Sequence, residues 1–123
     1  MRDAILSIRN RLDHAGVLLS GLCAVHCVLG VVLVSVLGLG GGVLLAPAIH
    51  EVGLALAIVV GLLTLGLGVL RHGQIGPLII GGCGIALMAS ALAVGHGVSE
   101  AVLTIAGVAL VATAHIRNLR HAC

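Results

Sequence analysis

The fold of this protein is decided by its first apolar stretch, AGVLLSGLCAVHCVLGVVLVSVLGL, which occupies residues 15–39. The stretch contains no Asp, Glu, Lys or Arg. A helix that crosses the hydrocarbon core of a bilayer needs about 20 predominantly apolar residues, so this segment is long enough to span a membrane. It is also longer than the apolar region of a cleaved signal peptide, which is roughly 7–15 residues. We therefore predict a retained transmembrane helix here.

Three further apolar segments follow at 52–70, 75–94 and 98–114. Apolar residues make up 60% of the 123 residues and charged residues only 8%, whereas a soluble domain carries about 25% charged residues. So few polar groups cannot cover a surface in water, and we interpret residues 1–123 as a single membrane domain. The segments are separated by the short breaks GGGVLLAPAIHE, RHGQIGP and GHGVSE. Because short connections favour antiparallel neighbours, the predicted fold is an all-α membrane protein, a four-transmembrane-helix bundle of two antiparallel hairpins.

The basic residues indicate how this bundle is oriented. All of them are arginines, and a four-span chain places them on one side of the membrane: Arg2, Arg9, Arg11, Arg71, Arg117 and Arg120. The loops on the other side contain Glu51 and Glu100 but no arginine. Positively charged loops face the cytoplasm, so both termini are predicted to be cytoplasmic. Asp13, which precedes the first apolar stretch, is predicted to be the N-cap of the first helix.

Small residues form continuous faces on the first two predicted helices. Helices in lipid associate through such faces because small side chains let the backbones approach closely. In the second segment the face consists of Gly53, Ala57, Gly61, Thr64 and Gly68. In the first segment it consists of Gly16, Ser20, Cys23, Cys27 and Gly30, with His26 at its edge. Cys23 and Cys27 are therefore predicted to point into the bundle, with the Leu and Val side chains facing lipid.

Cys23 and Cys27 lie one helical turn apart, and this spacing suggests a metal site. Their Cβ atoms would be about 5–6 Å apart on a helix, whereas a disulfide requires about 3.8 Å. Two sulfurs at this spacing could share one metal ion, because a zinc–sulfur bond, for example, is about 2.3 Å long. Thiolates select soft metals such as Cu(I) and, by the same reasoning, Hg(II). Two thiolates would also neutralise a divalent cation in lipid, where an uncompensated charge is costly.

The remaining candidate metal ligands are His26, Cys83 and Cys123. His26 could be a third ligand, could accept a proton from a cysteine, or could be a packed polar residue. Cys83 stands alone in the third segment, and Cys123 is the last residue of the sequence. A free cysteine also packs well as a small apolar residue, so a structural role is the alternative reading of each thiol.

Four motifs of this chain resemble the MerC family of mercury-resistance membrane proteins: SGLCAVHC at 20–27, HE at 50–51, LRHG at 70–73 and LTIAGVALVATAHIRNLRHAC at 103–123. The first and last motifs are the most specific, and the resemblance covers nearly the whole chain. It implies a multi-pass protein of the bacterial inner (cytoplasmic) membrane with four transmembrane helices and cytoplasmic termini. It also implies that the cysteines of the first motif are the first-helix mercury ligands.

The resemblance implies that the protein takes up mercuric ion and passes it to a cytosolic mercuric reductase or another thiol acceptor. Mercuric ion is then the transported ligand, and no bound cofactor is expected. One alternative is a transporter or binder of another soft metal such as Cu(I). The other is a small membrane scaffold subunit with structural cysteines, whose small-residue faces would serve assembly, including assembly as a homo-oligomer.

Two functional classes receive no support from the sequence. No nucleophile–base–acid set and no phosphate-binding loop indicates an enzyme. A net charge of +2 and the absence of aromatic residues do not indicate nucleic-acid binding, which typically requires a basic surface.

Overall fold

The computed structural model describes residues 1–38, 42–95 and 97–121. These residues form four long α-helices, and a short 3-10 helix at Gly42–Leu45 precedes the second of them. The α-helices are α1 (Arg2–Ser35), α2 (Pro47–His72), α3 (Gly76–Val94) and α4 (Val98–Arg120). All four are long and apolar enough to cross a membrane, and the described residues contain no β-strand. The predicted all-α, four-helix membrane fold is confirmed, while the sidedness of the termini stays a prediction.

The turns between helices have local causes in the sequence. Pro47 begins α2 at a position where its missing N–H is not needed. Gly73 follows the end of α2 in the left-handed conformation, with φ of 68°. Pro77 lies in the first turn of α3, and Gly95 and Gly97 adopt positive φ in the turn before α4. These short turns reverse the chain and make successive helices antiparallel.

The start of α1 differs from the prediction. The helix begins at Arg2, well before the apolar stretch, and Met1 occupies its N-cap position. Asp13 is therefore not an N-cap, and it is 0% exposed. The prediction was wrong because residues 2–14 contain neither Gly nor Pro and continue the helix without a break. In addition, the Asp13 carboxylate bonds to side chains of α4 instead of to the backbone of its own helix.

The helices pack as a ring in which α1 and α3 each contact both α2 and α4. The most extensive contact is between α3 and α4, followed by that between α1 and α4, and α2 also touches α4 across the ring. Because directions alternate, the start of α1 meets the end of α4 at one end of the bundle, which we call the termini end. The end of α1 meets the starts of α2 and α4 at the opposite end, which we call the loop end.

The small-residue faces predicted on the first two helices are buried in the bundle. Their buried members are Gly16, Ser20, Cys27 and Gly30 on α1, and Ala57, Gly61, Thr64 and Gly68 on α2. Cys23 and Gly53 are half-buried on the same faces. Many Leu and Val side chains, such as Leu22 and Val59, are exposed on the outside, where lipid would cover them. The prediction that both cysteines face the interior is confirmed.

Two glycines bring the backbones of α3 and α4 into direct contact. A Cβ atom added at Gly84 would lie 2.6 Å from the carbonyl oxygen of Gly107. A Cβ atom added at Gly107 would in turn lie 2.7 Å from the carbonyl oxygen of Gly84. Since the obstructing atoms belong to the backbone, neither position can accept a side chain unless the helices separate.

The close α3–α4 contact can be tested with two alanine substitutions on one helix. Gly84→Ala is expected to destabilise the bundle by about 1–3 kcal/mol, because its methyl group would overlap the backbone of α4. Gly82→Ala is the matched control, since an added Cβ there meets nothing within 4 Å. The control should be neutral or stabilise the protein by up to about 1 kcal/mol, because alanine favours the helix over glycine. Thermal unfolding in detergent micelles measures the difference, and equal melting temperatures would contradict the contact.

Candidate functional site

Five side chains from three helices gather toward the loop end of the bundle, and we call them the loop-end cluster. They are Cys23, His26 and Cys27 of α1, His50 of α2 and Glu100 of α4. The spacing of three and four residues along α1 places its three members on one side of the helix. His50 and Glu100 lie near the first residues of their helices, which begin at the loop end.

Cys27, His50 and Glu100 form a chain of contacts between three helices. Cys27 is 6% exposed, and its Sγ lies 3.7 Å from Nε2 of His50. Nδ1 of His50 lies 3.5 Å from Oε1 of Glu100. The second contact is electrostatic and not an aligned hydrogen bond, since this Nδ1 has no hydrogen-bond partner among the described residues. With its hydrogen on Nδ1, toward the carboxylate, the ring presents Nε2 as an acceptor for the thiol hydrogen of Cys27.

His26 lies beside this chain of contacts. Its ring packs edge-on against the ring of His50, with 5.6 Å between the ring centroids. Its Nε2 is buried and has no hydrogen-bond partner within the described part of the chain. The two imidazoles therefore pack together beside the thiols of α1.

Two cavities reach the cluster, and both histidines border each of them. The larger has a volume of about 270 Å³ and is bordered by Cys23, His26 and His50 together with apolar side chains, mainly of α1 and α2. The smaller has a volume of about 200 Å³ and is bordered by Cys27, Glu100 and the same two histidines. A small ion could therefore reach one thiol from each cavity.

The cluster does not contain a preformed site with three or four metal ligands. Among residues 1–38, 42–95 and 97–121, no three His, Cys, Asp or Glu side chains are arranged to hold one metal ion. A structural zinc site would require four such donors. Cys23 and Cys27 are both free thiols, so the arrangement fits a cation that is satisfied by two thiolates, with the histidines beside it.

The structure gathers only part of the predicted ligand set. Cys23, Cys27 and His26 lie together, although His26 does not complete a three-donor site with the thiols. Cys83 is exposed on the outer side of α3, away from the face that packs on α4. Cys123 lies outside the described residues.

A second polar cluster, which we call the termini-end network, lies toward the other end of the bundle. Its members are Asp13, Thr64, His72, His115 and Asn118. Nδ1 of His115 donates to Oδ1 of Asp13 at 2.7 Å, and Nδ2 of Asn118 donates to Oδ2 of Asp13 at 2.8 Å. Asn118 also bonds through Oδ1 to Nε2 of His72 at 3.0 Å and through Nδ2 to the Thr64 carbonyl at 3.3 Å. The network thus joins α1, α2 and α4.

Two glycines make room for this network. A Cβ atom at Gly16 would lie 2.5 Å from Nε2 of His115, and a Cβ atom at Gly68 would collide with Oδ1 of Asn118. The hydrogen bonds from His115 and Asn118 are what a buried carboxylate requires.

Sequence reasoning did not assign seven of these polar residues to a site. They are His50 and Glu100 of the loop-end cluster and all five members of the termini-end network. Each lies in or beside a predicted span, where an ionisable or polar residue already suggests a function. That signal could have identified the residues individually, but it does not tell which of them meet.

A family model for the MerC mercury resistance protein matches residues 13–120. The matched region includes every residue of the loop-end cluster and of the termini-end network. No curated protein and no solved structure matches the chain significantly.

The termini-end network is expected to contribute measurably to stability. Asn118→Ala removes the donor to Oδ2 of Asp13 and the partner of His72, and should cost about 1–3 kcal/mol because buried polar groups lose their hydrogen bonds. Thr113→Ala on the same helix is the control, since Thr113 is exposed and its hydroxyl bonds only to the Ala109 carbonyl of its own helix. Unfolding of both variants in micelles gives the comparison. Equal losses would show that the network does not support the bundle.

Proposed function

Because the chain belongs to the MerC mercury resistance family, we propose that it carries mercuric ion across the bacterial inner membrane by exchange between thiols. The observation that carries this proposal is the pair Cys23 and Cys27, which faces the bundle interior between two cavities. Their i, i+4 spacing on a continuous helix keeps both thiols free to bind one soft cation.

Capture proceeds by ligand exchange on mercury. The ion arrives as a complex with two small thiols. The sulfur of Cys23 bonds to mercury and displaces one of them, which leaves with the proton that the cysteine gives up. Cys27 displaces the second small thiol in the same way, and nothing is oxidised or reduced. The product is an uncharged bis-thiolate, which suits an apolar bundle where a net charge would be costly.

His50 and Glu100 are placed to assist the step in which Cys27 displaces the second small thiol. Nε2 of His50, 3.7 Å from the Cys27 sulfur, accepts the thiol hydrogen as the sulfur bonds to mercury and passes it to the departing small thiol. Glu100, 3.5 Å from the opposite nitrogen, keeps the ring in the orientation in which Nε2 faces Cys27. A carboxylate behind a histidine has the same orienting role around bound metals.

The distribution of arginines supports inward transport. The positive-inside rule puts the termini end in the cytoplasm, so the loop-end cluster receives the ion from the periplasmic side. A cytosolic thiol then removes it, either on a mercuric reductase or on another acceptor, with Cys123 as a candidate intermediate.

The thiol pair is tested by mercury accumulation in cells that express the protein. The double variant Cys23→Ser, Cys27→Ser is expected to reduce uptake to the level of cells without the protein, since serine oxygen is a poor ligand for a soft metal. Cys83→Ser is the control and should retain wild-type uptake, because Cys83 lies exposed on the outer side of α3. Uptake by the double variant equal to that of wild type would contradict the role of the thiol pair. Purified protein that does not bind Hg(II), Cu(I) or Zn(II) tightly would favour a scaffold with structural cysteines. Competition by Cu(I) for the same thiols would indicate a broader soft-metal transporter.

The role of Glu100 is tested by two amide substitutions. Glu100→Gln removes the charge that faces His50 and is expected to weaken mercury binding by about 10–100-fold, as the loss of an orienting carboxylate does at other metal sites. Glu51→Gln is the control, since Glu51 is exposed and adjacent to His50 in sequence. Titration of the purified proteins against a competing small thiol, followed by the ultraviolet absorption of the mercury–thiolate bond, measures both. Equal affinities would remove Glu100 from the site.

A further inference from the structure

The larger cavity of the loop-end cluster opens between α1 and α2 toward the outside of the bundle. Leu22 of α1 and Val52 and Leu56 of α2 border it, and these side chains are 60%, 58% and 46% exposed. They belong to the outer surface that lipid would cover. In addition, α1 and α2 touch each other less extensively than α3 and α4 do. Cys23 is half-buried and borders the same cavity, so it can be reached from the bilayer side.

The lining of this cavity is mainly apolar. No Asp, Glu, Lys or Arg is among the described residues that border it. Its polar members are Cys23, His26, His50 and Thr104, and the others are leucine, isoleucine, valine, methionine and glycine. Small-molecule sites are typically built in this way, with a few polar groups in apolar surroundings. An ionic group on a ligand would lose its hydration here without gaining a counter-ion from these side chains, which is costly.

The size of the cavity suits a small complex of mercury. Its volume of about 270 Å³ equals that of about nine water molecules, at about 30 Å³ each. A mercuric ion with two thiols the size of 2-mercaptoethanol has a similar number of non-hydrogen atoms. The cavity can therefore hold a whole complex beside Cys23, not only the bare ion.

We propose that this cavity is the entry site for uncharged complexes of mercuric ion with two small thiols that carry no ionic group, and that these complexes reach Cys23 from the lipid between α1 and α2. The inference rests on the proposed function, because it takes Cys23 as the first thiol that bonds to mercury. The apolar lining that accepts such complexes disfavours those whose thiols carry a carboxylate or an ammonium group.

The first exchange keeps every species in the cavity uncharged. The Cys23 sulfur forms a bond to mercury, the bond between mercury and one small thiol breaks, and the thiol hydrogen of Cys23 passes to the departing sulfur. The departing thiol is neutral, and so is the mixed complex of mercury with Cys23 and the remaining thiol. Nothing is oxidised or reduced, and the lining does not have to stabilise a charge.

Selection by charge is tested by the rate of mercury capture in full-length protein in lipid nanodiscs. Cys83 and Cys123 are replaced by serine, so that mercury retained after rapid gel filtration reports Cys23 and Cys27. Radioactive mercuric ion is supplied as its complex with uncharged 2-mercaptoethanol, with negatively charged thioglycolate, or with positively charged cysteamine. Each rate is divided by the rate of the same complex with dithiothreitol in solution, which removes the intrinsic differences among the thiols.

The normalised rate for the uncharged complex should exceed the rates for both charged complexes about tenfold or more, because charged ligands are costly to place in apolar surroundings. Equal normalised rates would overturn the inference and leave the proposed function standing. A cysteamine complex as fast as the uncharged one, with thioglycolate slow, would show attraction to carboxylates and would overturn selection by the apolar lining. Protein that retains no mercury from any complex would instead overturn the proposed function.

The route is tested by filling the mouth of the cavity. Leu22→Trp, or Val52→Trp on the opposite helix, should slow capture of the 2-mercaptoethanol complex severalfold but leave the mercury affinity at equilibrium unchanged. Leu18→Trp is the matched control and should keep the wild-type rate, because Leu18 lies one turn earlier on α1, is 65% exposed and does not border the cavity. Wild-type rates in both mouth variants, as expected if a lipid chain and not the complex occupies the cavity, would overturn the route.

Discussion

The carboxylate of Asp13 needs hydrogen-bond partners inside an apolar bundle. The partners that it finds on α4 fix how the first and last helices pair. Asp13 is 0% exposed, and each of its oxygens accepts a hydrogen bond from α4, one from His115 and one from Asn118. Leaving a buried polar group without its hydrogen-bond partner costs about 1–3 kcal/mol. A slip of α1 along α4 would break both bonds, so the pair sets the register of the two helices.

That register also determines what lies beside Cys27. Because both helices rise about 1.5 Å per residue and run in opposite directions, the residue fourteen positions after Asp13 comes level with the residue fourteen positions before His115. These residues are Cys27 and Ala101, and they border the same cavity. Glu100 is the neighbour of Ala101 and borders it too. A polar contact about 21 Å away along the bundle therefore aligns a thiol of α1 with the carboxylate that faces His50.

The features that could be predicted from the sequence are those that depend on one helix alone. The stretch at 15–39 is long enough to span a membrane whatever its neighbours are, and the small-residue period puts Cys23 and Cys27 on a buried face. The contacts of Asp13 could not be predicted in this way, because a helix-capping aspartate and a buried one look alike in sequence. The donor that decides between them, His115, is 102 residues away. Cys83 shows the same limit, since its exposed position follows from how α3 is rotated against α4.

The second helix contributes one residue to each of the two polar clusters at the same fourteen-residue spacing. Apolar side chains pack between the two clusters. His50 meets Cys27, and Thr64, fourteen residues later, meets His115. The core between the clusters consists of Ala57, Met88, Val108 and Val111. The tightest contact, Gly84 with Gly107, joins α3 to α4, whereas the largest cavity of the loop-end cluster is bordered mainly by α1 and α2. The tightest packing thus lies between α3 and α4, and the free space of the bundle lies beside the thiol pair.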